Sequence, residues 1–257
     1  MNECEGPSGS FPSAGGSSTY GIAYMSGTSM ATPVTSGNAA LVRQYFMDGY
    51  YPSGSANSAD AMSNPSASLI KAVLINGAQS MLGSASSWYG GFLPVTDYDN
   101  NIGFGRVNLI TALPLSGENS IIAEIHDRVP ITNGQSVEYE FDTSQCESTN
   151  GVSATIVWTD PPNSSGCSNC VLNDLDLKME VGSDTYFPNG LSSADSTNNS
   201  ERIRQTVADD ALVKITVTAS NLVTSSQNYA ISIVGCLEGK CTLQIDILNC
   251  PVFHCVS

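Results

Sequence analysis

Positive charge is what this chain most lacks: 9 Lys and Arg stand against 24 Asp and Glu, a formal net charge of −15. A surface so acidic repels the phosphates of nucleic acids and anionic membranes, and no Lys/Arg cluster makes a local exception, so nucleic-acid binding is excluded. Long apolar runs are missing too. None approaches the ~18 residues that a membrane-spanning helix needs. The opening stretch "MNECEGPSGSFPSAGG" has neither a basic nor an apolar segment and does not read as a signal peptide. No GxGxxG or phosphate-loop spacing occurs; Gly103-Phe104-Gly105 reads as a turn, and no organic cofactor is expected. Histidine is limited to His126 and His254.

What is present points to a folded, extracytoplasmic protein. With 257 residues, 41% of them hydrophobic, the chain can bury one large core or two ordinary ones. Its eight cysteines are an even number, and Asn163 and Asn198 open N-glycosylation sequons in polar, turn-like surroundings. Together with only four lysines, these features favour a secreted or lumenal protein whose signal lies outside this sequence, and hence a fragment. Cys167 and Cys170, joined by Cys236 and Cys241, would supply four zinc ligands, but an oxidising compartment favours disulfides; the pairing itself stays open.

Periodicity divides the chain. Ala31, Val34, Leu41, Val42, Tyr45 and Phe46 recur at helical spacing among small residues, which predicts a buried helix starting near Thr28 or Ser29, with Pro33 close to its first turn. A second helix is expected from a cap at Ser63 or Asn64, with Pro65 in its first turn and Leu69, Ile70, Val73, Leu74, Ala78 and Met81 on one face. From about Ser120 the period becomes two. "VEYEF", "SATIVW", "LDLKMEV", "VKITVTA" and "YAISIVG" are short β-branched runs between polar stretches, the pattern of an antiparallel sandwich or barrel. The boundary is placed near Leu115 to Asn119, and a cysteine-rich tail follows from residue 236.

Two constellations carry chemistry. Ser29 follows a glycine turn at a helix start, where residue type alone suggests a helix cap. The string "GTSMATP" adds what a nucleophile requires: Gly27 gives a tight turn, and the helix N-terminus gives N–H donors and a favourable dipole for a developing oxyanion. In "NDLDLK", Asp174 and Asp176 alternate with Leu175 and Leu177, so on a strand both carboxylates share one face. They repel there unless Lys178 or a hard cation such as Ca²⁺ intervenes, with Asp195 or Asn198 as further ligands; a solvated edge face is the alternative.

Gly27-Thr28-Ser29-Met30-Ala31-Thr32-Pro33 resembles the nucleophile motif of the subtilisin-like serine proteases, and the resemblance continues through "GNAALVRQYFMDGYYPSG", "SASLIKAVLINGA" and "NIGFGRVNLITAL". "ATIVWTDPP", "LNDLDLKMEV" and "NNSERI" look like the jelly-roll β-barrel that follows the catalytic domain in one group of subtilases. The resemblance implies the C-terminal portion of an α/β catalytic domain at 1–116, an all-β jelly-roll sandwich at 117–235 and the tail at 236–257. It also implies a serine endopeptidase acting on peptide or protein substrates through an acyl-enzyme on Ser29, and structural calcium in the barrel. The departure is as specific. In subtilases the triad runs Asp, His, Ser along the chain. The 28 residues before Ser29 contain no Asp and no His, and neither His126 nor His254 sits in a glycine-rich histidine motif. The chain by itself is expected to be inactive, a truncated protease, with a non-catalytic jelly-roll binding or maturation module as the alternative.

Overall fold

The computed structural model describes residues 27–81, 85–86, 91–92, 98, 102–144, 146, 151–238, 242–245 and 251–254. By internal contacts the chain falls into two units, 1–37 and 38–257.

Helix α1, Thr28–Met47, crosses from the first unit to the second. It begins as expected, but Pro33 is its sixth residue, beyond the first turn, and the missing N–H is the one that would have donated to the Ser29 carbonyl. The expected burial holds for its C-terminal half only: Val42, Tyr45 and Phe46 are buried, whereas Leu41 is 56% exposed and residues 31–37 are exposed throughout. Helix α2, Ala67–Asn76, starts later than predicted. Its N-cap is Ser66, whose Oγ accepts from Leu69 N at 3.0 Å, so Pro65 precedes the helix instead of opening it. Gly77 ends it, packed so tightly that a Cβ there would lie 2.4 Å from the Ala112 Cβ.

The strands are β1 Ala85–Ser86, β2 Gly91–Phe92, β3 Ile122–Ile131, β4 Ser136–Thr143, β5 Val152–Trp158, β6 Asp174–Val181, β7 Asp184–Tyr186, β8 Ser200–Gln205, β9 Leu212–Asn221, β10 Gln227–Gly235, β11 Leu237–Glu238, β12 Thr242–Ile245 and β13 Pro251–His254. Pairings among them are all antiparallel. β3-β10-β5-β8 form one sheet and β11-β4-β9-β6-β7 another; β1-β2 and β12-β13 are separate hairpins. The two larger sheets share one core, in which Trp158, Ile203 and Ile231 from the first meet Leu175, Leu177, Met179 and Ile215 from the second. Both sheets are open. Of the sandwich and the barrel that the period allowed, the described strands form a two-sheet sandwich, with edges at β3, β8, β11 and β7, and no closed barrel. Inside it the hydroxyls of Tyr139 and Tyr229 lie 3.1 Å apart, each satisfying the other's polar atom across the core. Burial holds both phenols protonated well above their ordinary range, Tyr139 at about 12.

A second core lies on the outer face of β3 and β10. There Val42, Tyr45 and Phe46 of α1 and Leu69 and Val73 of α2 pack with Ala123, Ile125, Ala230 and Val234. This explains why β5 is buried along its whole length: one face looks into the sandwich and the other lies under α2. The contact includes polar groups. Buried Asn76 accepts from the hydroxyls of Ser153 (2.6 Å) and Thr155 (2.9 Å) and donates to Ser153 O and Ser232 Oγ, both at 3.3 Å.

Candidate functional site

Ser29 is the second residue of α1 and is exposed. It does not hold the cap position: the Gly27 carbonyl accepts from Met30 N and Ala31 N, both at 3.1 Å, so Gly27 closes the first turn. Gly27 has φ +146°, a conformation that a residue with a Cβ rarely adopts. The serine hydroxyl thus stands on the first turn of a helix, beside N–H groups that an α-helix leaves without internal partners and at the positive end of its dipole. That is the electrostatic environment in which a tetrahedral oxyanion is stabilised.

Both histidines lie on strands. His126 lies on β3 with Nε2 2.5 Å from Glu124 Oε1 and its ring 5.6 Å from that of Tyr139. His254 ends the β12-β13 hairpin, in register with Thr242.

The acidic group is assembled from several elements. Asp174 and Asp176 occupy the outer face of β6 while Leu175, Leu177 and Met179 point into the core, the alternation expected from the sequence. Lys178 pairs with Glu180 at 3.1 Å, and Ser220 Oγ donates to Asp176 Oδ2. From β8, wholly buried Glu201 accepts the Leu177 N–H on Oε2 at 2.7 Å, tying the two sheets together. Oδ1 of Asp174, Oδ1 of Asp176 and Oε1 of Glu201 are buried with no hydrogen-bond partner. Burial first, then the charges of Asp176 and Asp195, push the Asp174 carboxyl up to about 6. Glu201 is pushed up to about 10, again by burial before the neighbouring carboxylates and despite the Leu177 N–H.

Asp195 behaves differently. Burial raises its carboxyl, but hydrogen bonds from Asn198, Asn189 and Thr197 outweigh that and hold it below the usual range. Its oxygens accept from Asn189 Nδ2 and Asn198 Nδ2 at 2.7 Å and from Thr197 N and Oγ1 at 3.0 and 2.8 Å. It organises the loop before β8. Orphaned carboxylate oxygens suit a hard cation, yet among the described residues no three His, Cys, Asp or Glu are grouped to hold a metal.

Cys146 is bonded to Cys236, and Cys167 to Cys170. The four-cysteine zinc alternative is overturned, since Cys236 is committed to Cys146. Cys4, Cys241, Cys250 and Cys255 lie outside the described residues. Sequence reasoning missed Arg202 and Arg204. Arg202 Nη1 donates to the carbonyls of Ile75, Ala78 and Phe104 at 3.1 to 3.3 Å, and Arg204 Nη2 to that of Asn76 at 2.6 Å, both serving the C-terminus of α2. At its other end, Asp127 of β3 accepts from Ser66 N and Oγ. An acid at the N-terminus and bases at the C-terminus both oppose the helix dipole.

Residues 7–105 match the subtilase family of serine peptidases, a stretch that contains Ser29, α1 and α2. Three Dictyostelium discoideum proteins are similar over more of the chain, each named a serine protease/ABC transporter B family protein. TagA is 31% identical over 239 residues, 86% of this chain and 13% of its own length. TagD is 29% identical over 268 residues (82% and 14%), and tagB 27% over 274 (86% and 14%). The chain thus spans 13 to 14% of the length of these relatives. A likeness covering 86% of the chain necessarily runs past residue 105 into the sandwich. No helix among the described residues is long and apolar enough to cross a membrane.

Proposed function

We propose that this chain carries the nucleophile-bearing part of a subtilisin-like serine endopeptidase, with Ser29 forming the acyl-enzyme on a peptide or protein substrate. The observation that carries the reading is the position of Ser29: an exposed hydroxyl on the first turn of α1, in a turn closed by Gly27, inside the stretch that matches the subtilases. In the reaction a base takes the Ser29 proton, Oγ attacks the scissile carbonyl, and N–H donors at the helix start stabilise the oxyanion. Because no His or Asp precedes Ser29 in this sequence, the chain alone does not activate its serine.

The order β3-β10-β5-β8 facing β4-β9-β6-β7 is that of eight strands wound as two Greek keys, which supports reading the sandwich as a jelly roll. Orphaned oxygens on Asp174 and Asp176 support calcium there, with water or main-chain oxygens completing the shell. The two disulfides support a secreted or lumenal setting. The second reading is a non-catalytic jelly-roll binding or maturation module, favoured by the larger core lying between the two sheets of the sandwich.

A fluorophosphonate probe separates the two when applied to this chain and to a longer product that supplies upstream Asp and His motifs. The protease reading requires Ser29-dependent labelling of the longer product and none of the chain alone. Labelling of the longer product that survives Ser29→Ala defeats it.

A further inference from the structure

Two sequons look equivalent in sequence and are not equivalent in structure. Asn163-Ser164-Ser165 lies on the loop between β5 and β6, where all three residues are exposed. The ends of that loop are fixed: Asp160 accepts from Leu172 N at 2.7 Å and Asn173 N at 2.8 Å, and the Cys167–Cys170 disulfide closes its middle. Of the two hydrogens on the Asn163 amide nitrogen, one is used, in a 3.3 Å bond to the Cys170 carbonyl.

Asn198-Asn199-Ser200 differs in its hydrogen bonds and in the burial of its last residue, although Asn198 is itself exposed. Asn198 Nδ2 donates to both Asp195 Oδ2 (2.7 Å) and Thr197 Oγ1 (3.2 Å). Ser200, whose hydroxyl completes the sequon, is buried as the first residue of β8 and paired with Val157. Glycosylation replaces one amide hydrogen by a sugar. At Asn163 the remaining hydrogen keeps the bond to Cys170. At Asn198 one of two bonds is lost, from a side chain that holds the buried carboxylate of Asp195, and a bulky polar group must fit beside it.

The geometry points to Asn163 as an N-glycosylation site of the folded protein and to Asn198 as an unused sequon. The donor is a lipid-diphosphate-linked oligosaccharide in the secretory lumen. A bond forms between Asn163 Nδ2 and the anomeric carbon, the bond from that carbon to the diphosphate oxygen breaks, the lipid diphosphate leaves with the electron pair, and a proton passes from the amide nitrogen to a base. The inference rests on the secreted or lumenal reading only for its natural occurrence.

The test expresses the full chain in eukaryotic cells behind a cleavable secretion leader, which supplies the compartment and leaves site competence as the only variable. Medium and lysate are both digested with peptide N-glycosidase and compared by mass. Loss of a single glycan, abolished by Asn163→Gln and unchanged by Asn198→Gln, is expected. A glycan that survives Asn163→Gln, or an unmodified Asn163 in the leader-bearing chain, overturns it. Failure of the natural protein to enter the lumen, with Asn163 modified in this experiment, would instead count against the compartment and not the site.

Discussion

Glu201 should make this protein less stable as pH rises, provided divalent cations are withheld. Its carboxyl is wholly buried on β8 and pushed from 4.5 up to about 10, first by burial and then by Asp176, Asp195 and Asp174. An unfolded chain releases that proton near pH 4.5 and the folded one keeps it, so between the two values the native state binds the extra proton. Unfolding free energy therefore falls with increasing pH, by about 1.4 kcal/mol per unit for one group. From pH 4.5 to 7 the loss is on the order of 3 kcal/mol, a large share of a domain's total stability. Asp174, raised to about 6, acts in the same direction between its ordinary value and that one. A bound cation favours the ionised carboxylates and should flatten or reverse the slope. Urea unfolding followed by tryptophan fluorescence reports on this, because Trp158 is 1% exposed in the sandwich core. The quantity to read is the wild-type stability minus that of Glu201→Gln, at pH 5 and pH 7.5, in EDTA and in calcium. Glutamine keeps an acceptor for the Leu177 N–H and carries no charge. If that difference stays constant with pH in EDTA, the burial argument for Glu201 is refuted.

The Cys146–Cys236 disulfide spans 90 residues, so its loss should cost about 4 to 5 kcal/mol in the chain-entropy model, read as a drop in the urea midpoint of Cys146→Ser/Cys236→Ser. The Cys167–Cys170 bridge spans 3, and its removal should cost less than about 2 kcal/mol by the same measurement. Asn76→Ala strands the hydroxyls of Ser153 and Thr155 beneath α2, with an expected loss of about 3 kcal/mol in thermal or urea unfolding; a change within experimental error would dismiss the network. Ser29→Ala, exposed and outside the cap position, should leave the melting temperature nearly unchanged while abolishing probe labelling in the longer product. A variant that melts lower but keeps its turnover would return Ser29 to a structural role.

Where burial follows one period, the sequence was legible. β4, β5, β6, β9 and β10 fall on the five runs with alternation or dense β-branching, because apolar side chains alone decide which way those strands face. β8 gave no such period, and only the resemblance of "NNSERI" placed it in the sandwich. "SERIRQ" is mostly polar, yet Ser200, Glu201 and Arg202 are buried, and the two charged side chains are made tolerable by partners remote in sequence: the Leu177 N–H for Glu201 and three carbonyls for Arg202. Such partners leave no local signal. The start of α2 was misjudged because Ser63, Asn64 and Ser66 are all competent caps; Asp127, 61 residues away, engages Ser66. At the candidate site, the start of the helix that carries Ser29 was legible, while the coupling of Glu201 to Asp174 and Asp176 needed the β6–β8 contact.

The grip of the sandwich on α2 has a consequence for how such proteins can be recombined. Asp127 at one end, and the Asn76 network with Arg202 and Arg204 at the other, tie a helix from the subtilase-matching stretch to strands β3, β5, β8 and β10. A crossover at residues 115–119 would part these partners, leaving a buried amide, a carboxylate and two guanidinium groups facing an unmatched surface. A crossover upstream of Pro65 would carry them together. Chimaeras joined at the earlier point should fold where those joined at the later one aggregate, so the transferable piece is the sandwich with α2 still attached.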